Sequence, residues 1–102
     1  MIFNGKTVFI TGGSRGIGLA IVKKLASNGA NIIIAAKTVT PKPNLPGTIF
    51  TAAEEIKSEG ADCLPIECDI RFEDQIVAAI NAGVKKFGGI DICINNASAI
   101  AP

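Results

Sequence analysis

Glycines are concentrated in one short stretch of the sequence, Thr11–Gly18, which reads T-G-G-S-R-G-I-G. Glycine allows a backbone to turn sharply and to approach a ligand at contact distance. If a helix begins within this stretch, its free N–H groups and the positive end of its dipole can bind a pyrophosphate. Glycines in such turns also occur for tight packing alone, so the stretch is a candidate anion site that needs further support. The candidate binding residues are Gly12, Gly13, Ser14, Arg15, Gly16, Ile17 and Gly18.

Three further polar residues follow predicted strands, at the position where parallel sheets bind their ligands. Lys37 could meet an anion as a point charge, and Asp69 could accept a hydrogen bond from an amino group. Asn96, directly after Asn95, could bind a ligand through its amide. Each also has a simpler interpretation, namely a solvated lysine, a carboxylate that caps a loop, and asparagines that form a turn. Spacing alone leaves both interpretations open.

The composition excludes several kinds of chemistry. The 102 residues contain no histidine and no tyrosine, which removes the commonest general base and the commonest phenolic acid. A net charge of +1 does not favour nucleic acid as a partner, and no apolar stretch is long enough to span a membrane. The three cysteines, Cys63, Cys68 and Cys93, lack C-x-x-C spacing and no metal site is predicted. We expect buried reduced thiols, as in an intracellular soluble protein.

Strands and helices are predicted to alternate around these candidates. Apolar runs predict strands at Thr7–Ile10, Asn31–Ala36, Cys63–Glu67 and Ile90–Asn95. A first helix is predicted over Gly16–Asn28, with Ile17, Ala20, Ile21 and Leu25 on its apolar face and Gly29 as its cap. A third is predicted over Phe72–Phe87, with Ile76, Ala79, Ile80 and Val84 facing the core.

The second helix is preceded by a stretch from Thr38 to Gly47 that contains three prolines and is predicted to be an extended loop. Thr51 and Glu54 match a capping box, although Thr48 could start the helix one turn earlier, and Gly60 ends it. Alternation with short connections predicts an α/β fold, a parallel sheet with helices on both faces. The strand order 3-2-1-4 leaves a ligand crevice between strands one and four.

Three motifs occur in an order that resembles the short-chain dehydrogenase/reductase family. They are T-G-x-x-x-G-x-G, Cys68-Asp69-Ile70, and the N-N-A-S of Asn95–Ser98, in which Ser98 replaces the usual glycine. The resemblance implies a Rossmann-like domain, of which residues 1–102 would form the N-terminal part with the first four strands. It also implies that Asp69 contacts the adenine amino group of a dinucleotide and that Asn96 lines the ribose side.

The end of strand two bears on which dinucleotide binds. NAD-binding proteins usually place a carboxylate there for the ribose 2′-hydroxyl, whereas this sequence has Ala36 and Lys37. A 2′-phosphate could therefore enter without repulsion, and Lys37 and Arg15 could converge on it. The sequence favours NADP over NAD, unless both cations are simply solvated.

The family resemblance also implies an activity, hydride transfer between nicotinamide and a carbonyl or alcohol substrate. Members use a serine, a tyrosine and a lysine from their second half, and none of these can be assigned here, so we expect no turnover by this stretch alone. The alternative is a dinucleotide-binding module or pseudoenzyme. The stretch Ile34–Thr38, the proline-rich loop and residues 47–56 are similar to the hydroxysteroid dehydrogenase-like group, which implies a peroxisomal or mitochondrial location, with the cytoplasm as the alternative. A lipid-like substrate and a homo-oligomer of the full-length protein are both left open by the sequence.

Overall fold

The sheet and its helices have the predicted arrangement. The computed structural model describes residues 2–14, 16–37, 39–40 and 47–96. Its elements are β1 Thr7–Thr11, α1 Gly16–Ser27, β2 Asn31–Ala36, α2 Ile49–Ser58, β3 Cys63–Glu67, α3 Glu73–Phe87 and β4 Ile92–Asn95. All neighbouring strands are parallel and their order is β3-β2-β1-β4, which confirms the α/β prediction. Strand β4 begins two residues later than predicted, and most of the proline-containing loop lies outside the described residues.

Side chains of β1 and β2 alternate between two separate cores, because successive residues of a strand point to opposite faces. On one face Val8, Ile10, Ile32 and Ile34 pack with buried residues of α1 and α2. On the other face a smaller core contains Phe9, Ile33 and Ala35 together with Ala79 of α3. Burying one isoleucine side chain stabilises the fold by about 1.5–3 kcal/mol, so β2, with three of them fully buried, contributes strongly.

Helix α1 packs on the sheet through a face that only partly overlaps the predicted one, because of the predicted residues only Leu25 packs against the core. Its buried residues are Gly18, Val22 and Ala26, whereas Ile17 is 77% exposed and Ile21 is 39% exposed. Small side chains allow the helix axis to lie close to the strands, which explains why a glycine and an alanine lie on the packed face. The cap at Gly29 is confirmed, because this residue has a φ of 98°.

Helix α2 begins at Ile49 with Thr48 as its N-cap, so the capping box predicted from Thr51 and Glu54 is wrong and the earlier start is confirmed. The Thr48 hydroxyl accepts hydrogen bonds from the backbone N–H groups of Phe50 and Thr51, both at 3.2 Å. The Thr51 hydroxyl in turn accepts the N–H of Thr48 at 2.8 Å. Reciprocal capping by two threonines fixes the position at which the chain re-enters the fold after the loop.

Helix α3 packs on the sheet through part of the predicted face. Ala79 is buried and Ile76 packs against the smaller core, as predicted, whereas Ile80 and Val84 are about 40% exposed and the second buried position is Gly83. A Cβ atom placed on Gly83 would overlap Cδ1 of Ile33, which is fully buried. The helix therefore crosses β2 at a glycine, the smallest residue available.

We expect Gly83→Ala to lower the free energy of unfolding by about 1–3 kcal/mol through overpacking against Ile33. The direction of the change is informative, because replacing glycine by alanine in a helix interior otherwise raises the free energy of unfolding by about 1 kcal/mol. Urea unfolding followed by circular dichroism measures the difference. Gly89→Ala is the matched control, because no atom lies within 4 Å of a Cβ placed there. Equal stability of the two variants would contradict the close crossing.

Candidate dinucleotide-binding site

The glycine stretch connects β1 to α1 at the carboxyl edge of the sheet, beside the point where the strand order reverses. Gly12 has a φ of 73° and Gly16 a φ of 64°, a left-handed conformation that side chains disfavour. The N–H of Gly12 still donates to the carbonyl of Ala35 at 2.9 Å, so the turn begins directly at the strand end. Arg15, a predicted phosphate ligand, lies outside the described residues.

Asn96 holds this turn against β4. Its side-chain amide donates to the carbonyl of Gly12 at 3.0 Å, and its backbone N–H donates to the Thr11 hydroxyl at 3.1 Å. The Thr11 hydroxyl donates to Oδ1 of Asn95 at 3.3 Å. A Cβ atom on Gly18 would lie 2.5 Å from Nδ2 of Asn96, so the amide occupies the space that a side chain would need. Asn96 therefore supports the glycine turn through its own hydrogen bonds, and its predicted contact with a cofactor stays a prediction.

Ser14 is the buried polar residue of the turn. It is only 6% exposed, yet its hydroxyl makes no hydrogen bond within the described part of the chain. Leaving a buried hydroxyl unpaired costs about 1–3 kcal/mol, which a ligand oxygen would recover. Gly13 packs on Ile10, while Ile17 is exposed at the first turn of α1. The turn thus presents a polar group and a helix start to an anion.

A cavity of about 540 Å³ lies at the carboxyl ends of β2 and β3, next to the start of α3. Its lining residues are Lys37, Ile66, Glu67, Asp69, Gln75, Ala78 and Ala79. Two of the predicted site residues, Lys37 and Asp69, are thereby brought together, because the ends of parallel strands meet at one edge of the sheet. Lys37 is exposed there and its charge contributes to lowering the pKa of the Asp69 carboxyl.

The Asp69 carboxylate has a partner that sequence reasoning missed. Arg71 donates from Nε to Oδ1 at 3.0 Å and from Nη2 to Oδ2 at 2.6 Å, and its backbone N–H also donates to Oδ1 at 3.0 Å. These hydrogen bonds hold the pKa of the Asp69 carboxyl well below its usual range. The Asp69 N–H donates to Oε1 of Gln75 at 2.8 Å. The sequence signal was an arginine two residues after the aspartate, which fits a tight turn.

The cysteines do not form a reactive centre in the described residues. Cys63 and Cys68 are buried as predicted, and burial raises the pKa of the Cys63 thiol to about 12. The prediction is wrong for Cys93, which is exposed on β4. The described ranges contain no cluster of side chains that could bind a metal ion. They also contain no helix long and apolar enough to cross a membrane.

A glycine turn between the first strand and first helix, at the point of strand-order reversal, defines the class of Rossmann-like nucleotide-binding proteins. Residues 6–102 match the family model described as short chain dehydrogenase. The chain therefore belongs to the short-chain dehydrogenase/reductase family.

Relatives agree with this assignment. The chain is 63% identical over 97 residues to hydroxysteroid dehydrogenase-like protein 2 of Bos taurus and of Homo sapiens, which covers 95% of this chain and 23% of each relative. It thus spans about a quarter of their length. A short chain dehydrogenase of Mycobacterium thermoresistibile superposes with a TM-score of 0.93 at 58% identity, over 97% of this chain and 35% of that one. An NAD⁺-bound xylitol dehydrogenase superposes with a TM-score of 0.83 at 28% identity, over 96% and 35%.

Proposed function

We propose that this chain is the NADP(H)-binding portion of a short-chain dehydrogenase/reductase that transfers hydride between nicotinamide and a carbonyl or alcohol substrate. The observation that carries the choice of NADP is the end of β2, where Ala36 and Lys37 stand in place of a carboxylate. Lys37 lines the cavity there, so its cation lies at the edge where a 2′-phosphate would have to bind.

In this proposal, different residues bind different parts of the cofactor. Backbone N–H groups of Gly12–Gly18 and the Ser14 hydroxyl hold the pyrophosphate, and Asn96 fixes the path of that turn. Lys37, with Arg15 from outside the described residues, binds the 2′-phosphate, and Asp69 accepts a hydrogen bond from the adenine amino group. When bound, the cofactor supplies or accepts hydride at C4 of its nicotinamide.

The acid/base chemistry must come from elsewhere, since these 102 residues contain no tyrosine. We infer that they supply binding and orientation of the cofactor in an intracellular enzyme, and we propose a peroxisomal or mitochondrial location, with the cytoplasm as the alternative. The alternative is a binding module without catalysis. It predicts NADPH binding in the protein with no consumption of NADPH in the presence of aldehydes or ketones, lipid-like ones included.

Adenosine 2′,5′-bisphosphate and 5′-AMP separate the cofactor choices, because they differ only in the 2′-phosphate that Lys37 would bind. We expect the bisphosphate to bind the protein at least about tenfold more tightly, the effect of one favourable charged contact of roughly 1.4 kcal/mol. Isothermal titration calorimetry at fixed ionic strength measures both affinities. Equal affinities would support NAD, the cofactor of the xylitol dehydrogenase above. Absence of binding by either nucleotide would overturn the proposal altogether.

A further inference from the structure

Strand β3 is the outer strand of the sheet in the described residues, where β2 is its one paired neighbour. Its other edge therefore presents backbone groups that a further strand could bind. The N–H of Cys68 donates to the carbonyl of Ala36 at 2.9 Å. The carbonyl of Asp62 accepts the N–H of Ile32 at 3.0 Å. Because the direction of the backbone groups alternates along a strand, the even-numbered residues of β3 turn their N–H and C=O groups toward β2, and the odd-numbered residues turn theirs toward the outer edge.

Two of the three backbone nitrogens at this outer edge cannot donate a hydrogen bond to another strand. Pro65, in the middle of β3, has no N–H. The N–H of Cys63 donates to Oδ1 of Asp62 at 2.9 Å, so it is already bound within the chain. The third nitrogen belongs to Glu67, an acidic residue that is exposed. Proline and charged side chains are means by which proteins prevent pairing at the edge of a sheet.

The Asp62 carboxylate has a contact on each of its oxygens. Oδ1 accepts the Cys63 N–H, and Oδ2 lies 3.5 Å from Nζ of Lys86 in the last turn of α3. The side chain of Asp62 is 51% exposed and that of Lys86 is 41% exposed, and an ion pair at this exposure contributes little to stability. The hydrogen bond from the backbone is therefore the contact through which Asp62 changes the edge, and the ion pair is secondary.

We propose that Pro65 and the Asp62 carboxylate block strand addition at the outer edge of β3, so that a second copy of this chain cannot pair there. A strand that adds to a sheet is held by main-chain hydrogen bonds, and two of the three donors that it would need are missing or occupied. Proline within a strand is confined to sheet edges, which supports an edge that stays uncovered in the whole protein. Neither residue lines the cavity, so this role is independent of the proposed function.

The double variant Asp62→Ala/Pro65→Val restores both donors. We expect its dissociation constant for self-association to be at least about tenfold lower than that of the parent, because each restored donor acts twice in a symmetric pair. Valine favours strands, so the variant should fold, which circular dichroism checks. Sedimentation velocity over a series of protein concentrations measures the association. Hydrogen exchange followed by mass spectrometry should show protection of residues 63–67 as the concentration rises.

Matched variants separate the blocked donors from charge and from apolar surface. Asp62→Asn/Pro65→Val removes the charge but keeps an oxygen for the Cys63 N–H, so it should associate less than Asp62→Ala/Pro65→Val. Asp62→Ala/Pro65→Thr restores the same donors with a polar side chain and should associate as strongly as the valine variant. Lys86→Ala, which removes only the ion pair, should behave as the parent.

Three results would overturn the inference. The first is a folded Asp62→Ala/Pro65→Val variant that associates no more than the parent. The second is association without protection of residues 63–67, which would place the contact elsewhere. The third is equal association of the asparagine and alanine variants at position 62, which would show that Asp62 does not act by occupying the Cys63 N–H.

Discussion

Replacing Lys37 with aspartate should weaken NADPH binding by about a hundredfold and strengthen NADH binding. Two unit charges about 4 Å apart interact by roughly 4 kcal/mol at an effective dielectric of 20. Lys37 is exposed, so solvent and salt reduce this value, and a net change of about 3 kcal/mol corresponds to a hundredfold. An aspartate at the end of β2 would repel the 2′-phosphate and accept a hydrogen bond from the 2′-hydroxyl of NADH.

The measurement is a fluorescence titration with both cofactors, repeated at two salt concentrations. Lys6→Asp serves as the control for charge, because it makes the same change before β1, at the opposite end of the sheet. Lys37→Gln separates lost attraction from added repulsion. The assignment of the phosphate subsite would be wrong if Lys37→Asp bound NADPH as tightly as the parent and gained nothing for NADH.

Gly18→Ala should abolish most cofactor binding, with a loss of about thirtyfold or more. The added methyl group would lie 2.5 Å from Nδ2 of Asn96 and 3.3 Å from the carbonyl oxygen of Gly12. The Asn96 amide would have to move, and its hydrogen bond to Gly12 would break. The turn would then lose the contact that sets its path, and displaced N–H groups bind an anion poorly.

A double-mutant cycle with Asn96→Ala tests the physical reason. If the methyl group acts by displacing the Asn96 amide, Gly18→Ala should cost much less in the Asn96→Ala background, giving a coupling of about 1 kcal/mol or more. Binding and unfolding are both measured for the four proteins. Additive losses would show that Asn96 does not hold the turn in this way.

The strands were predictable because their sequences are unambiguous. Ile32 to Ile34 allow no polar face, so β2 was predicted with its observed bounds, and the parallel order followed from the alternation of elements. The packed face of α1 was not predictable from spacing, because apolar residues surround most of the helix. The residues that pack on the sheet include Gly18 and Ala26, whose small size lets the helix lie close to the strands. A hydropathy pattern does not identify them, because neither is strongly hydrophobic. The same bias hid Gly83 in α3.

The position of the glycine turn was predictable from the sequence, whereas the side-chain contacts around it and around Asp69 were missed. The glycine turn and Asp69 follow from motifs, since motif positions depend on the chain path. The hydrogen-bond partner of a carboxylate depends on side-chain rotamers and on the geometry of short turns, which a sequence does not specify. The hydrogen bonds from Arg71 to Asp69 were therefore not predicted. The Thr11 hydroxyl was also missed, because its contacts reach across to β4, more than eighty residues away in sequence.

The burial of β2 between two cores has a consequence for how the molecule opens. Ile32, Ile33 and Ile34 are fully buried, and their strand has a paired neighbour on both edges. Amide hydrogens in such a strand exchange with solvent only when the whole unit unfolds. The amide protons of β2 should therefore be the last to be replaced by deuterium, whereas those of β3, whose one paired neighbour in the described residues is β2, should exchange earlier through local opening. The glycine turn follows β1, which pairs with β2. The turn is therefore attached to the part of the fold whose amide hydrogens should exchange most slowly.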